Sequence, residues 1–108
     1  MTYKEIANMI KSFGLPYAYY QFPDSAGVSP PFVCFYFPND LDLKADDLNY
    51  QKIEALTIEF YTDNKDFEKE ATIEGALNNN GFVFEKTEAF IDSEQMFMVT
   101  YQTSAIIN

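Results

Sequence analysis

The first thirteen positions carry apolar side chains at helical spacing. Ile6, Met9, Ile10 and Phe13 fall at i, i+3, i+4 and i+7, and Tyr3 extends the stripe back by one turn. Thr2, followed three residues later by Glu5, has the form of a capping box. The pattern predicts a helix over 2–13, closed by Gly14 in a left-handed cap and barred from continuing by Pro16. The period then changes. YAYYQF (17–22) reads as a short aromatic strand, and FVCFYF (32–37) as a strand covered on both faces or central in its sheet. Over 50–62, Leu56, Ile58 and Phe60 alternate with Thr57, Glu59 and Tyr61, the period of a strand with one buried face. Two segments rich in turn formers or charge, 23–31 and 39–49, read as loops.

A second helix is predicted within 63–81. Asp63 or Asp66 caps it, and Glu68 and Glu70 favour the dipole in its first turn. Phe67, Ala71 and Leu77 share its apolar face, with Ile73 at the margin. Gly75 suggests close packing, and Gly81 ends the helix. The last two strands, over 82–91 and 94–106, flank Asp92-Ser93 as a hairpin. The order is helix, three strands, helix, two strands. This is an α+β domain spanning 1–108, a mainly antiparallel sheet packed by two helices, with the first stripe facing Leu56, Ile58 and Phe60.

Composition narrows the chemistry. Seventeen acids stand against seven bases, all of them lysine, for a net charge of −10. The 47% hydrophobic content is that of a globular chain, so the acidity does not imply disorder. There is no His, which excludes imidazole-based triads and Cys–His pairs. A single Cys34 excludes an internal disulfide, suggests a reducing compartment, and reads as a small core hydrophobe. No apolar stretch reaches the length of about 18 residues that spans a membrane, and the N-terminus lacks a signal-peptide pattern. The net charge opposes binding to a phosphate backbone, so no direct sequence-specific nucleic-acid contact is expected.

Asp40, Asp42, Asp46 and Asp47 make the best metal candidate, because hard cations take several carboxylates from a short loop. They lack the regular spacing and closing glutamate of a calcium loop and read as a solvated acidic segment. Asp63, Asn64, Asp66 and Glu68 are explained by capping. No catalytic, cofactor or metal site is therefore expected, and the chain is not read as an enzyme. The tyrosines at 17, 19, 20 and 36 suggest a protein interface.

Four blocks, LPYAYYQF (15–22), PPFVCFYFP (30–38), LTIEFYTDNKDFEKEATIE (56–74) and FEKTEAFIDSEQMFMVTYQ (84–102), carry a resemblance. Their order resembles a family of small proteins from tailed phages and prophages of Gram-positive bacteria, encoded in the head-completion and tail gene block. The succession of elements is similar to tail-terminator and head–tail joining subunits. That resemblance implies a ring-forming homo-oligomer, other tail or connector proteins as partners, and residence in the virion, with the host cytoplasm as the site of assembly. It carries over no site residues.

The interface candidates come from the residues themselves. Tyr19, Tyr20 and Asp24 mark the base of one loop; Asp40, Leu41 and Leu43 mark the other. Leu41 and Leu43 have no evident local core and are expected to bury against another subunit or protein. The alternative is a small acidic binding or inhibitor protein imitating nucleic acid, which would display its acids in rows on one face.

Overall fold

The computed structural model describes residues 1–23, 26–45 and 49–108, with 43–45 and 49–50 described by their backbone. The elements in chain order are α1 (Tyr3–Lys11), β1 (Tyr17–Tyr19), β2 (Phe32–Tyr36), β3 (Leu43–Ala45), β4 (Asn49–Gln51), β5 (Ile53–Thr62), α2 (Phe67–Asn79), β6 (Glu85–Ile91) and β7 (Met96–Ile106). Among the described residues, no helix is long and apolar enough to cross a membrane.

The capping box of α1 is formed on both sides. Thr2 Oγ1 accepts from the Glu5 N–H at 3.1 Å, and Glu5 Oε1 accepts from the Thr2 N–H at 2.9 Å. Gly14 ends the segment at φ +76°, where a side chain would be strained. Ile6, Met9, Ile10 and Phe13 are buried in one cluster with Leu56, Ile58 and Phe60, as the periodicity requires. Tyr3 is the exception. It lies half exposed at the rim, its hydroxyl donating to Glu54 Oε1 at 3.2 Å and its ring edge-on to Phe37. A phenol keeps its polar tip near water where an aliphatic stripe does not.

Five strands form one sheet in the order β1-β2-β5-β7-β6. Only β1 and β2 are parallel; the other neighbours are antiparallel, giving a mixed, mostly antiparallel α+β fold. The strand register decides which side chains share a face. Val33, Phe35, Leu56, Ile58, Phe60, Val99, Tyr101 and Ala105 line one face, beneath Ile6, Met9 and Ile10 of α1 and Ile73 and Leu77 of α2. Both helices therefore cover the same side.

Three expectations need correction. The segment 39–49 is not simply a loop. Leu43–Ala45 pairs antiparallel with Asn49–Gln51 as a small separate hairpin, so the observed order is helix, five strands, helix, two strands. The long strand expected from residue 50 is split at Lys52. There the chain leaves the main sheet, although the Lys52 carbonyl still accepts from the Ile107 N–H at 2.9 Å. The final hairpin turns through four residues, Asp92 to Gln95, not two; Gln95 takes φ +52° and Ile91 pairs with Met96.

The buried face of α2 also differs from the apolar reading. Phe67 is 73% exposed, with Lys65 Nζ 4.8 Å from its ring centre, and Ala71 is exposed too. Ile73 is fully buried, and the stripe is Glu70, Ile73, Glu74 and Leu77, spaced i, i+3, i+4 and i+7. Glu70, only 2% exposed, lies between Lys65 (2.5 Å) and Lys86 (2.8 Å). Lys86 also reaches Glu74 at 2.7 Å, Glu74 accepts the Tyr101 hydroxyl at 2.8 Å, and Lys65 bonds Glu88. The helix is turned about its axis relative to its apolar pattern, because two lysines make the carboxylates the inward side chains. Asp66, of the two cap candidates, is the cap, its Oδ1 accepting from the Lys69 N–H.

Close packing at Gly75 is absent: a Cβ there meets nothing within 4 Å. Gly75→Ala should therefore stabilise the protein by about 0.5–1 kcal/mol through helix propensity alone. Urea unfolding of the two proteins checks this, with the midpoint expected to rise.

Candidate functional site

The side of the sheet opposite the helices is the candidate site. The same register that sends Leu56, Ile58 and Phe60 inward sends Ile53, Ala55, Thr57, Glu59 and Tyr61 to this side. Their neighbours on β2 are Phe32, Cys34 and Tyr36, and on β7 Met98, Thr100, Gln102, Ser104 and Ile106; Met96 continues the same side of β7 beside Ile91. Among the described residues, no helix covers them.

This face has three zones. At one end Leu41, whose N–H donates to the Ile53 carbonyl at 2.7 Å, joins Ile53 and Ile106. Leu41 and Ile106 are 47% and 53% exposed, so this is an uncovered apolar rim. The centre is polar and built on Glu59. Its Oε2 accepts from the Tyr36 hydroxyl at 3.1 Å and its Oε1 from the Tyr61 hydroxyl at 2.8 Å. Burial, and then the Glu59 carboxylate, push both phenols above their ordinary value. At the other end Phe32 stacks on Tyr61 at 4.9 Å, with Phe22 edge-on to Phe32. These rings border an open groove of about 690 Å³ that extends to Ile91 and Met96 at the final hairpin.

Cys34 lies beneath this face. Burial, with a smaller contribution from Glu59, pushes its thiol up to about 11, opposite to the direction that activates a nucleophile.

The residues singled out from the sequence do not form one patch. Tyr19 and Tyr20 lie on opposite sides of the sheet. Tyr19 packs edge-on to Phe35 on the helix side, and its hydroxyl oxygen accepts from the Phe37 N–H at 3.2 Å. Tyr20, 63% exposed at φ +71°, packs against Tyr36 on the open side. Its N–H donates to the Phe35 carbonyl. Asp24, Asp46 and Asp47 lie outside the described residues. Asp40 pairs across from Glu54 and lies 3.2 Å from Lys52 Nζ. Leu43 begins β3, its backbone opposite Gln51; its side chain lies outside the described residues. Tyr36 pairs with Thr57 and Leu41 lies across from Ile53. Tyr20 and Leu41 are thus separated by four positions of β5, roughly 13 Å at about 3.3 Å per residue.

The acidic segment has a structural role. Lys52 Nζ lies 3.2, 3.4 and 3.2 Å from Asp40, Asp42 and Glu54, and Asp42 Oδ1 accepts from the Ile53 N–H at 3.0 Å. The hydrogen bonds to Asp40 and Glu54 hold the Lys52 ammonium well above its ordinary range. Among the described residues, no group of three potential ligands is placed to hold a metal.

Phe32, Glu59, Tyr61 and Met96 were not singled out from the sequence. The signal was present, since the alternation at 56–61 puts Glu59 and Tyr61 together on the second face. That face reads as solvent until the number of layers is known.

No protein-family model matches the chain, and no curated protein matches it in sequence. Among solved structures, it is similar to a chain in the virion of a native gene transfer agent particle. The TM-score is 0.65, over 94% of this chain and 84% of that one, at 13% identity. At this identity the likeness is one of fold.

Proposed function

We propose that this protein is a structural, non-enzymatic subunit of a phage or prophage virion, acting at the tail terminator or head–tail joint as one member of a ring. The observation that carries the reading is the fold shared with a gene transfer agent virion chain across nearly the whole length. The resemblance of the four sequence blocks to Gram-positive phage and prophage tail-region proteins points the same way. A ring subunit needs surfaces its own core leaves uncovered, and the rim of Leu41, Ile53 and Ile106 offers one. In this reading the rim meets a neighbouring copy or a tail protein, and the chain passes from the host cytoplasm into the particle. The nucleic-acid mimic gains less support, because Asp40, Asp42, Glu54, Glu70, Glu74 and Glu88 are paired with lysines rather than set out in rows.

Leu41→Asp tests the rim. The residue is half exposed in the single chain, so the variant should fold with an unchanged melting temperature. Introduced into the phage, it should yield unjoined heads or tails of abnormal length in electron micrographs. Normal, infectious particles carrying the folded variant would remove the rim from the interface.

A further inference from the structure

The groove on the open face combines aromatic walls with an uncompensated charge. Tyr20, Phe22, Phe32, Tyr61 and Met96 line it, Glu59 lies among them with Glu94 at the hairpin end, and among the described residues no lysine does. The ion pairs among the described residues engage six other carboxylates, and none reaches Glu59. The two tyrosine hydroxyls fix the orientation of the Glu59 carboxylate while each oxygen keeps a free lone pair. An oriented anion beside the stacked Phe32–Tyr61 pair, in a chain of net charge −10, is complementary to a flat cation.

We propose that this groove receives an arginine side chain of another protein, its guanidinium paired with Glu59 and its plane against the aromatic walls. Arginine fits better than lysine for three reasons. Its fork matches a carboxylate, its planar faces stack on rings, and it is less strongly hydrated than an ammonium. This chain contains no arginine, so the donor is a different protein and not a second copy. The proposal rests on the virion reading for the kind of partner, another structural protein of the particle. The surface is separate from the Leu41 rim, at the opposite end of the same face.

The test uses the isolated 108-residue chain, so its failure is distinguishable from failure of the virion reading. The probe is a capped pentapeptide, Gly-Leu-Arg-Leu-Gly, compared with peptides carrying citrulline or lysine at the centre. Citrulline keeps the shape of arginine without its charge. Binding is followed by the NMR shift of the Met96 methyl group. The arginine peptide should give a saturable shift and bind about tenfold more tightly than the citrulline peptide, a partly desolvated ion pair's effect. In Glu59→Gln, which keeps an acceptor for the tyrosines, the two should bind alike. Any of the following results would overturn the proposal. One is no saturable shift, or equal binding of the arginine and citrulline peptides by the unaltered protein. Another is a discrimination that survives Glu59→Gln. The last is tighter binding of the lysine peptide together with self-association lost in Glu59→Gln, which would assign the groove to a lysine of a second copy.

Discussion

Phe60→Ala should remove about 3–5 kcal/mol of stability, the cost of deleting a buried aromatic ring that its surroundings only partly refill. Phe60 is fully buried on the central strand β5, with Val33 opposite it on β2 and Val99 opposite it on β7. The helix stripe of Ile6, Met9 and Ile10 belongs to the same core. The site cannot collapse easily, because strands hold it on both sides and helices cover it. A loss of this size is a large part of the roughly 5–15 kcal/mol that holds an ordinary domain together. Urea unfolding should show a much lower midpoint. A midpoint within error of the unaltered protein would mean that α1 and the sheet do not share this core.

Glu70→Ala should cost about 1.5–3 kcal/mol at neutral pH, the range for losing hydrogen bonds to a charged group, because it takes the buried carboxylate from Lys65 and Lys86 and leaves them Glu88 and Glu74. Both lysines retain some access to water, which limits the loss. The pH dependence has a definite sign. Burial alone would raise the Glu70 carboxyl, but the hydrogen bonds and charges of Lys65 and Lys86 outweigh it and hold it below its ordinary value. A group depressed in the folded state stabilises above its unfolded pKa, about 4.3 for glutamate, and loses that contribution as pH falls through the folded value. The stability gap between the unaltered protein and Glu70→Ala should thus be full at neutral pH and shrink below about pH 4.3. Taking the difference cancels the titration of carboxylates common to both. A gap that stays constant into the acid range would contradict the ion-pair role of Glu70.

Local signals in this chain are legible from its sequence, and non-local ones are not. Helix α1 was legible because the Thr2–Glu5 box and the four-residue stripe are local and agree. The inner face of β5 was legible because period two leaves no other choice for Leu56, Ile58 and Phe60. The inward face of helix α2 is not apparent from apolar spacing because it includes Glu70 and Glu74, charged residues neutralised by Lys65 just before the helix and by Lys86 on β6. The β3–β4 hairpin was missed because its acidic composition resembles a loop, whereas backbone pairing forms it. Tyr19 and Tyr20 looked like one patch. The parallel pairing of β1 with β2 and the positive φ of Tyr20 place them on opposite sides. The open face itself was illegible, because alternation shows which residues share a face but not whether helices cover one side or both.

Membership of a virion would be visible in the protein content of purified particles. Quantitative mass spectrometry of intact, density-purified particles should find this chain at a small fixed ratio to the major tail protein, and antibody labelling should place it at one end of the tail. A chain abundant in infected cells but absent from intact, infectious particles would rule out a place in the virion.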